Sequence, residues 1–172
     1  MKDFKSDKHL FIGRFQPFHL GHLEVVKQIL PKTQQLILGL WSTNQKISLH
    51  NPLSYWERKI IIGHILSKHL PLSLLKKIKL TPIPDTKTDL QRKNIVEKKH
   101  PQHLIVTGNS RLKDIFGEKV LWLPTRFKGI SATQIRQFLI KGDINQALKY
   151  LPAGFEKFLP FLKNRLKKLK NL

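Results

Sequence analysis

Short apolar runs alternate with amphipathic stretches along nearly the whole chain, and that alternation leaves few folds open. Residues 9–15 (HLFIGRF), 35–41 (QLILGLW), 77–84 (KIKLTPIP), 103–109 (HLIVTGN) and 120–125 (VLWLPT) read as strands. The second is apolar almost throughout, the pattern of a strand covered on both faces. Residues 19–30, 54–70 and 89–100 carry apolar side chains at helical spacing. Pro31 and Pro71 close the first two of these helices, and Ser54 opens the second as an N-cap. Helices over 131–142 and 143–151 follow, with Ser131 and Asp143 as N-caps and Gly142 as the C-cap of the first, then an amphipathic helix over about 155–170. Strand–helix alternation predicts an α/β domain: a parallel five-stranded sheet flanked by helices, with a helical C-terminal end. In such a sheet the strand-end loops gather at one edge, where ligands bind.

Length and composition fit this expectation. A chain of 172 residues with 40% hydrophobic content is read as a single domain with its own core, spanning 1–172, its core at about 9–140 and its last helices at about 143–170. There is no cysteine, which excludes disulfides and cysteine-ligated zinc. The N-terminal MKDFKSDKHLFIG has charge without a long apolar run, so neither a signal peptide nor a membrane span is expected, and a cytoplasmic protein is. The formal charge of +21 is extreme. It admits a polyanion-binding surface, or scattered lysines around an anionic small ligand.

The stretch FIGRFQPFHLGH, residues 11–22, places Arg14, Gln16, His19 and His22 in the first turn after the first strand. A core has no use for so many donors, which points to a ligand. A helix N-terminus with free N–H groups attracts phosphate. His19 and His22, one turn apart, add donors there, and Gly21 lets a ligand approach the backbone. A metal reading of the two histidines lacks a third ligand nearby in sequence. A second element, GISATQIR at 129–136, puts Ser131 and Thr133 at a helix start with Arg136 behind them. Hydroxyls, amides and a guanidinium in that order suit a phosphate.

Together the two elements resemble the nucleotidyltransferase superfamily, whose signatures are His-x-Gly-His near the start and an Ile-Ser-x-x-x-Ile-Arg-like element late, here His19 to His22 and Ile130 to Arg136. Within it, GRFQPFHLGHLEVVKQIL, NPLSYWER (51–58) and TGN (107–109) are similar to the nicotinamide-nucleotide adenylyltransferases of the archaeal type. The resemblance implies a Rossmann-like nucleotidyltransferase fold. It implies transfer of AMP from ATP to nicotinamide mononucleotide, giving NAD and pyrophosphate, with Mg2+ carried by ATP and no side-chain metal ligands. Implied as catalytic are His19, His22, Arg14 and Arg136. Along the ATP path it places Gly13, Phe15, Gln16, Gly21, Gly108, Asn109, Ser131 and Thr133 with them. The acceptor side falls to Trp41, Ser42, Arg58 and Asp85. A homo-oligomer is also implied.

One stretch departs from the pattern. The archaeal enzymes follow the third strand with an Asp, an Asn and a Trp that stacks on the nicotinamide. Here PIPDTKTDLQRKNIV (82–96) keeps Asp85, has no tryptophan, and places Arg92 near the stacking position. Trp41, at the end of the neighbouring strand, is the aromatic expected to replace it. The late element reads Ser-Ala-Thr where that type has Ser-Gly-Thr. Two other readings stay open: a related adenylyl- or cytidylyltransferase acting on a pantetheine or flavin phosphate, and a basic nucleic-acid-binding protein on the same fold. Specific nucleic-acid and membrane partners are not expected.

Overall fold

The computed structural model describes residues 7–123, 129 and 131–171. Five strands, β1 (Lys8–Gly13), β2 (Gln35–Trp41), β3 (Ile78–Ile83), β4 (Leu104–Thr107) and β5 (Val120–Trp122), form one sheet in the order β3-β2-β1-β4-β5. Every neighbouring pair is parallel, and Phe11 of β1 lies opposite Leu38 of β2 and Val106 of β4. The helices are α1 (Leu20–Ile29), α2 (Tyr55–His69), α3 (Leu72–Leu75), α4 (Asp89–Lys99), α5 (Ser110–Phe116), α6 (Ala132–Lys141), α7 (Ile144–Leu148) and α8 (Leu159–Lys170).

Strand periodicity divides the core in two, because successive side chains leave the sheet on opposite faces. Phe11, Leu36, Leu38, Leu40 and Val106 pack with residues of α1, α2, α6 and α8. Leu10, Ile12, Ile37, Trp41, Ile83 and Ile105 face the other way, onto Val96 of α4 and Leu112 and Phe116 of α5. Leu36, Leu38 and Leu40 are fully buried, so truncating any one of them to Ala costs about 2–5 kcal/mol.

The helix ends follow their caps. The Ser54 hydroxyl accepts from the Glu57 N–H at 3.3 Å, and the Glu57 carboxylate accepts from the Ser54 N–H at 2.8 Å. The same carboxylate takes Arg165 of α8 at 2.6 Å, and Arg165 also donates to the Pro52 carbonyl at 3.1 Å. That ties the last helix to the start of α2. Gly142 closes α6 with φ at 89°, a conformation that side chains with a Cβ resist.

Several boundaries differ from the expectation. β1 stops at Gly13 rather than residue 15, because Phe15 turns into the left-handed region with φ at 50°. β4 stops at Thr107, because Asn109 becomes the N-cap of α5, a helix the sequence reading did not contain. Asp143 stands at the N-cap of α7 but makes no side-chain cap bond, and that helix ends at Leu148. The final helix begins at Leu159 after a 3-10 turn over Phe155–Phe158, because Pro160 favours a first-turn position. Residues 124 and 125 of the expected fifth strand, and Ile130 of the late motif, lie outside the described residues.

Candidate active site

The sheet order reverses between β1 and β4, and a cleft of about 820 Å³ opens beyond the C-terminal ends of the strands there. Its floor is the turn after β1. Gly13 lets the Phe15 ring fold back over the strand end: a Cβ at this position would come within 2.8 Å of that ring. Phe15, with φ at 50°, and Ser42, with φ at 58°, both sit in the left-handed region and both line the cleft. Such backbone costs of order 1–3 kcal/mol per residue and persists where the surroundings enforce it.

Two buried side chains do the enforcing. Gln16 lines the cleft, but its amide is committed to Leu53: it donates to the carbonyl at 2.7 Å and accepts from the N–H at 2.9 Å. Its role is therefore to hold the turn against the loop before α2 rather than to bind ATP through its side chain. Arg58 does not line the cleft at all, correcting its placement on the acceptor side. It lies beneath, 1% exposed, with one nitrogen donating to the carbonyls of Arg14 at 2.7 Å and Trp41 at 2.6 Å. Burial brings this guanidinium down to about 10, so it stays charged. Gly21 also lies off the cleft wall, buried in the first turn of α1.

At the mouth of α1 the two histidines stack, ring centroids 3.7 Å apart. His22 Nδ1 accepts from the His19 backbone N–H at 3.2 Å, so its proton rests on Nε2, which is the nitrogen left to donate. Phe15 and Phe18 pack around the same ring, 4.9 and 5.4 Å away. Burial lowers His19 to about 4, and burial together with His19 lowers His22 well below its ordinary value. Both are neutral donors at pH 7.

Arg136 of α6 reaches across to the β1 turn, donating to the Gln16 carbonyl at 2.6 Å and the Thr133 hydroxyl at 3.1 Å. Burial, then the like charge of Arg14, brings Arg136 down to about 10, still a cation. Among the described residues neither Arg14 nor Arg136 has a carboxylate partner. Two guanidiniums and two neutral imidazoles thus converge at a helix N-terminus, with no carboxylate paired to them among the described residues, and such a set of donors suits a polyphosphate.

Gly108, Asn109, Ser131 and Thr133 line the β4–α6 side of the cleft. The Asn109 side chain also caps α5 through Arg111 N–H at 3.0 Å, and the Ser131 hydroxyl caps α6. Trp41, Ser42 and Asp85 line the β2–β3 side. There the Asn44 side chain pairs with the Asp85 backbone at 2.8 and 3.1 Å, joining the two loops. Gln45, Thr86, Thr107, Ser110 and Arg111 also line the cleft and were not among the expected site residues, and Arg92, which the sequence puts near the stacking position, lines it as well. Thr107 and Ser110 flank the quoted Gly-Asn pair and were within reach of that signal. The contact between Arg92 and Trp41, distant in sequence, was not: the guanidinium lies 4.4 Å from the indole centroid. Among the described residues no group of three or more His, Asp or Glu side chains is placed to hold a metal ion.

A family model described as cytidylyltransferase-like matches residues 10–138, from β1 into α6. The nicotinamide-nucleotide adenylyltransferase of Thermoplasma volcanium is 34% identical over 148 residues, covering 83% of this chain and 81% of that one. Its counterpart in Archaeoglobus fulgidus is 31% identical over 150 residues, covering 84% and 85%. Among solved structures, a bifunctional NMN adenylyltransferase/ADP-ribose pyrophosphatase from Francisella tularensis, in complex with AMP and a manganese ion, superposes with a TM-score of 0.78 at 26% identity. The match covers 95% of this chain and 52% of that one, so the chain spans about half of the bifunctional protein. The family match covers the strands and turns that build the cleft, and the chain belongs to the cytidylyltransferase-like family.

Proposed function

We propose that the protein is a nicotinamide-nucleotide adenylyltransferase, joining ATP and nicotinamide mononucleotide into NAD with release of pyrophosphate. The observation that carries this reading is the His19–His22 stack at the start of α1, in a cleft shared with Arg14 and Arg136, neither of which is ion-paired to a carboxylate among the described residues. The names of its archaeal relatives supply the acceptor.

The chemistry needs little beyond alignment and charge. A phosphate monoester is largely dianionic at neutral pH and is already a nucleophile. Its oxygen attacks the α-phosphorus of ATP, the new P–O bond forms in line, and the bond to the pyrophosphate oxygen breaks. No side-chain base is required. Negative charge grows on the departing pyrophosphate, and the His22 Nε2–H, the α1 N-terminus, Arg14 and Arg136 are donors fixed in advance to meet it. Arg136 is held by the Gln16 carbonyl and Thr133, so it has no reorganisation to undergo.

The residues fit a divalent ion that arrives on the triphosphate. Mg2+ prefers oxygen ligands, which the phosphates and water supply, and Asp85 is the one carboxylate among the described residues that line the cleft. When bound, Mg2+ would neutralise phosphate charge. The test is incubation of the pure protein with ATP, Mg2+ and nicotinamide mononucleotide, reading NAD and pyrophosphate together. Equimolar formation of both supports the reading, and their absence beside a folded protein refutes it.

A further inference from the structure

The cleft has two arms on either side of β1. The phosphates belong in the middle, at α1, Arg14 and Arg136, and the β4–α6 arm takes the adenosine. The base of the acceptor then falls in the β2–β3 arm, lined by Trp41, Ser42, Asp85 and Arg92. Arg92 is buried, 7% exposed, and lies on the indole of Trp41. One of its terminal nitrogens is held by Asp89, while its Nε has no hydrogen-bond partner. The Trp41 Nε1 beside it has none either. Two buried donors without acceptors are a cost that a ligand can remove.

The charge of this arm is positive. Asp89 is shared between Arg92 and Arg111, and the charge of Asp85 acts on Arg58 buried beneath the floor, so three guanidiniums stand near two carboxylates. A carboxylate offers acceptors to both donors and complements that charge. A carboxamide offers one acceptor and turns a donating NH2 toward donors. We infer that Arg92, seated on Trp41, reads the group at the 3-position of the acceptor's pyridine ring and favours a carboxylate over a carboxamide, making nicotinate mononucleotide the better acceptor. Both nitrogens are shielded from water, so the Arg92 side chain turns on the indole as the base enters. This rests on the adenylyltransferase reading, and the bonds made and broken are the same with either acceptor: acceptor phosphate oxygen to α-phosphorus formed, α-phosphorus to pyrophosphate broken.

The experiment measures kcat/KM of the full chain with ATP, Mg2+ and each of the two mononucleotides, and repeats it with Arg92→Gln. The wild type is expected to favour the nicotinate form by about tenfold or more, the scale of one charge-assisted hydrogen bond. R92Q should bring the two acceptors to within about threefold by slowing the nicotinate form, with the KM for ATP unchanged. A wild type that treats both alike, or prefers the carboxamide, overturns the inference and leaves adenylyl transfer standing, and this ratio decides the matter even where R92Q fails to fold. R92Q slowing both acceptors equally also overturns it. Turnover of neither by the folded wild type overturns the adenylyltransferase reading, and this inference with it.

Discussion

His22→Asn separates the chemical from the structural work of the second histidine. In the folded protein His22 has two jobs. Its Nδ1 accepts from the His19 backbone N–H at 3.2 Å, and its Nε2–H is free to donate. Asparagine can keep the first through Oδ1 while its shorter side chain withdraws the second. What stability loses is the ring packing on Phe15 and Phe18, at 4.9 and 5.4 Å, and on His19. At about 0.5–1.5 kcal/mol per aromatic pair, the three pairs together cost about 1.5–4.5 kcal/mol. What catalysis loses is a fixed donor at the developing pyrophosphate charge, about 10²–10³-fold in kcat. His22→Ala removes both jobs and leaves the His19 N–H unpaired, about 1–3 kcal/mol worse again. The assay is steady-state pyrophosphate release beside a urea unfolding curve for each variant. H22N that remains folded and turns over within about threefold of wild type would refute the donor role, because the Nε2 donor has been taken away while the acceptor for the His19 N–H is kept.

Arg58→Met strips hydrogen bonds from the buried carbonyls of Arg14 and Trp41, at about 1–3 kcal/mol each. The melting temperature is then expected to fall by roughly 5–15 °C, and an unchanged melt would remove Arg58 as a clamp. Burial holds His19 and His22 neutral in the fold, with His19 at about 4 against 6.5 when unfolded. The unfolded chain therefore binds more protons below pH 6.5, and stability is expected to fall as pH drops from 6.5 toward 4, more steeply for the wild type than for His19→Asn in urea melts. Equal slopes would mean that His19 is not held neutral. The +21 charge is expected to give only weak, sequence-blind duplex DNA binding that vanishes steeply with salt, and sequence-selective binding at physiological ionic strength would contradict this.

The parts of the molecule legible in the sequence are those set by short-range rules. QLILGLW is apolar on both parities, and it is the strand between β3 and β1 with helices on both faces. Ser54, Ser131 and Gly142 act through residues one turn away, and each stands at the helix end where local chemistry placed it. α5 escapes the sequence because seven residues do not establish a helical period, and its cap, Asn109, stands in a motif that points to a ligand. The same limit governs the cleft. His19, His22, Arg14 and Arg136 carry their chemistry in local motifs, and the fold brings all four to its wall. Gln16, Arg58 and Arg92 do not, because what they do depends on Leu53, on two distant carbonyls and on Trp41 respectively. A polar residue type in a motif tells of donors; where those donors point is a tertiary fact.

The motif at 51–58 shows what that distinction means for the site. The resemblance carried by NPLSYWER puts Arg58 on the acceptor side. In the fold its polar side chains face inward to the scaffold: Ser54 and Glu57 cap α2, Glu57 takes Arg165 from α8, and Arg58 runs under the cleft floor. The Arg14 and Trp41 carbonyls it holds each belong to the residue just before a left-handed one, Phe15 and Ser42. One buried guanidinium therefore fixes both turns from which the two halves of the cleft are built. Arg14, to which the proposed function gives a phosphate, stands on one, and Trp41 carries Arg92 on the other. Loosening that clamp would misplace ATP and acceptor together. The expected kinetic signature of any Arg58 variant that still folds is a rise in both Michaelis constants with a fall in kcat, unlike the acceptor-only change expected of Arg92.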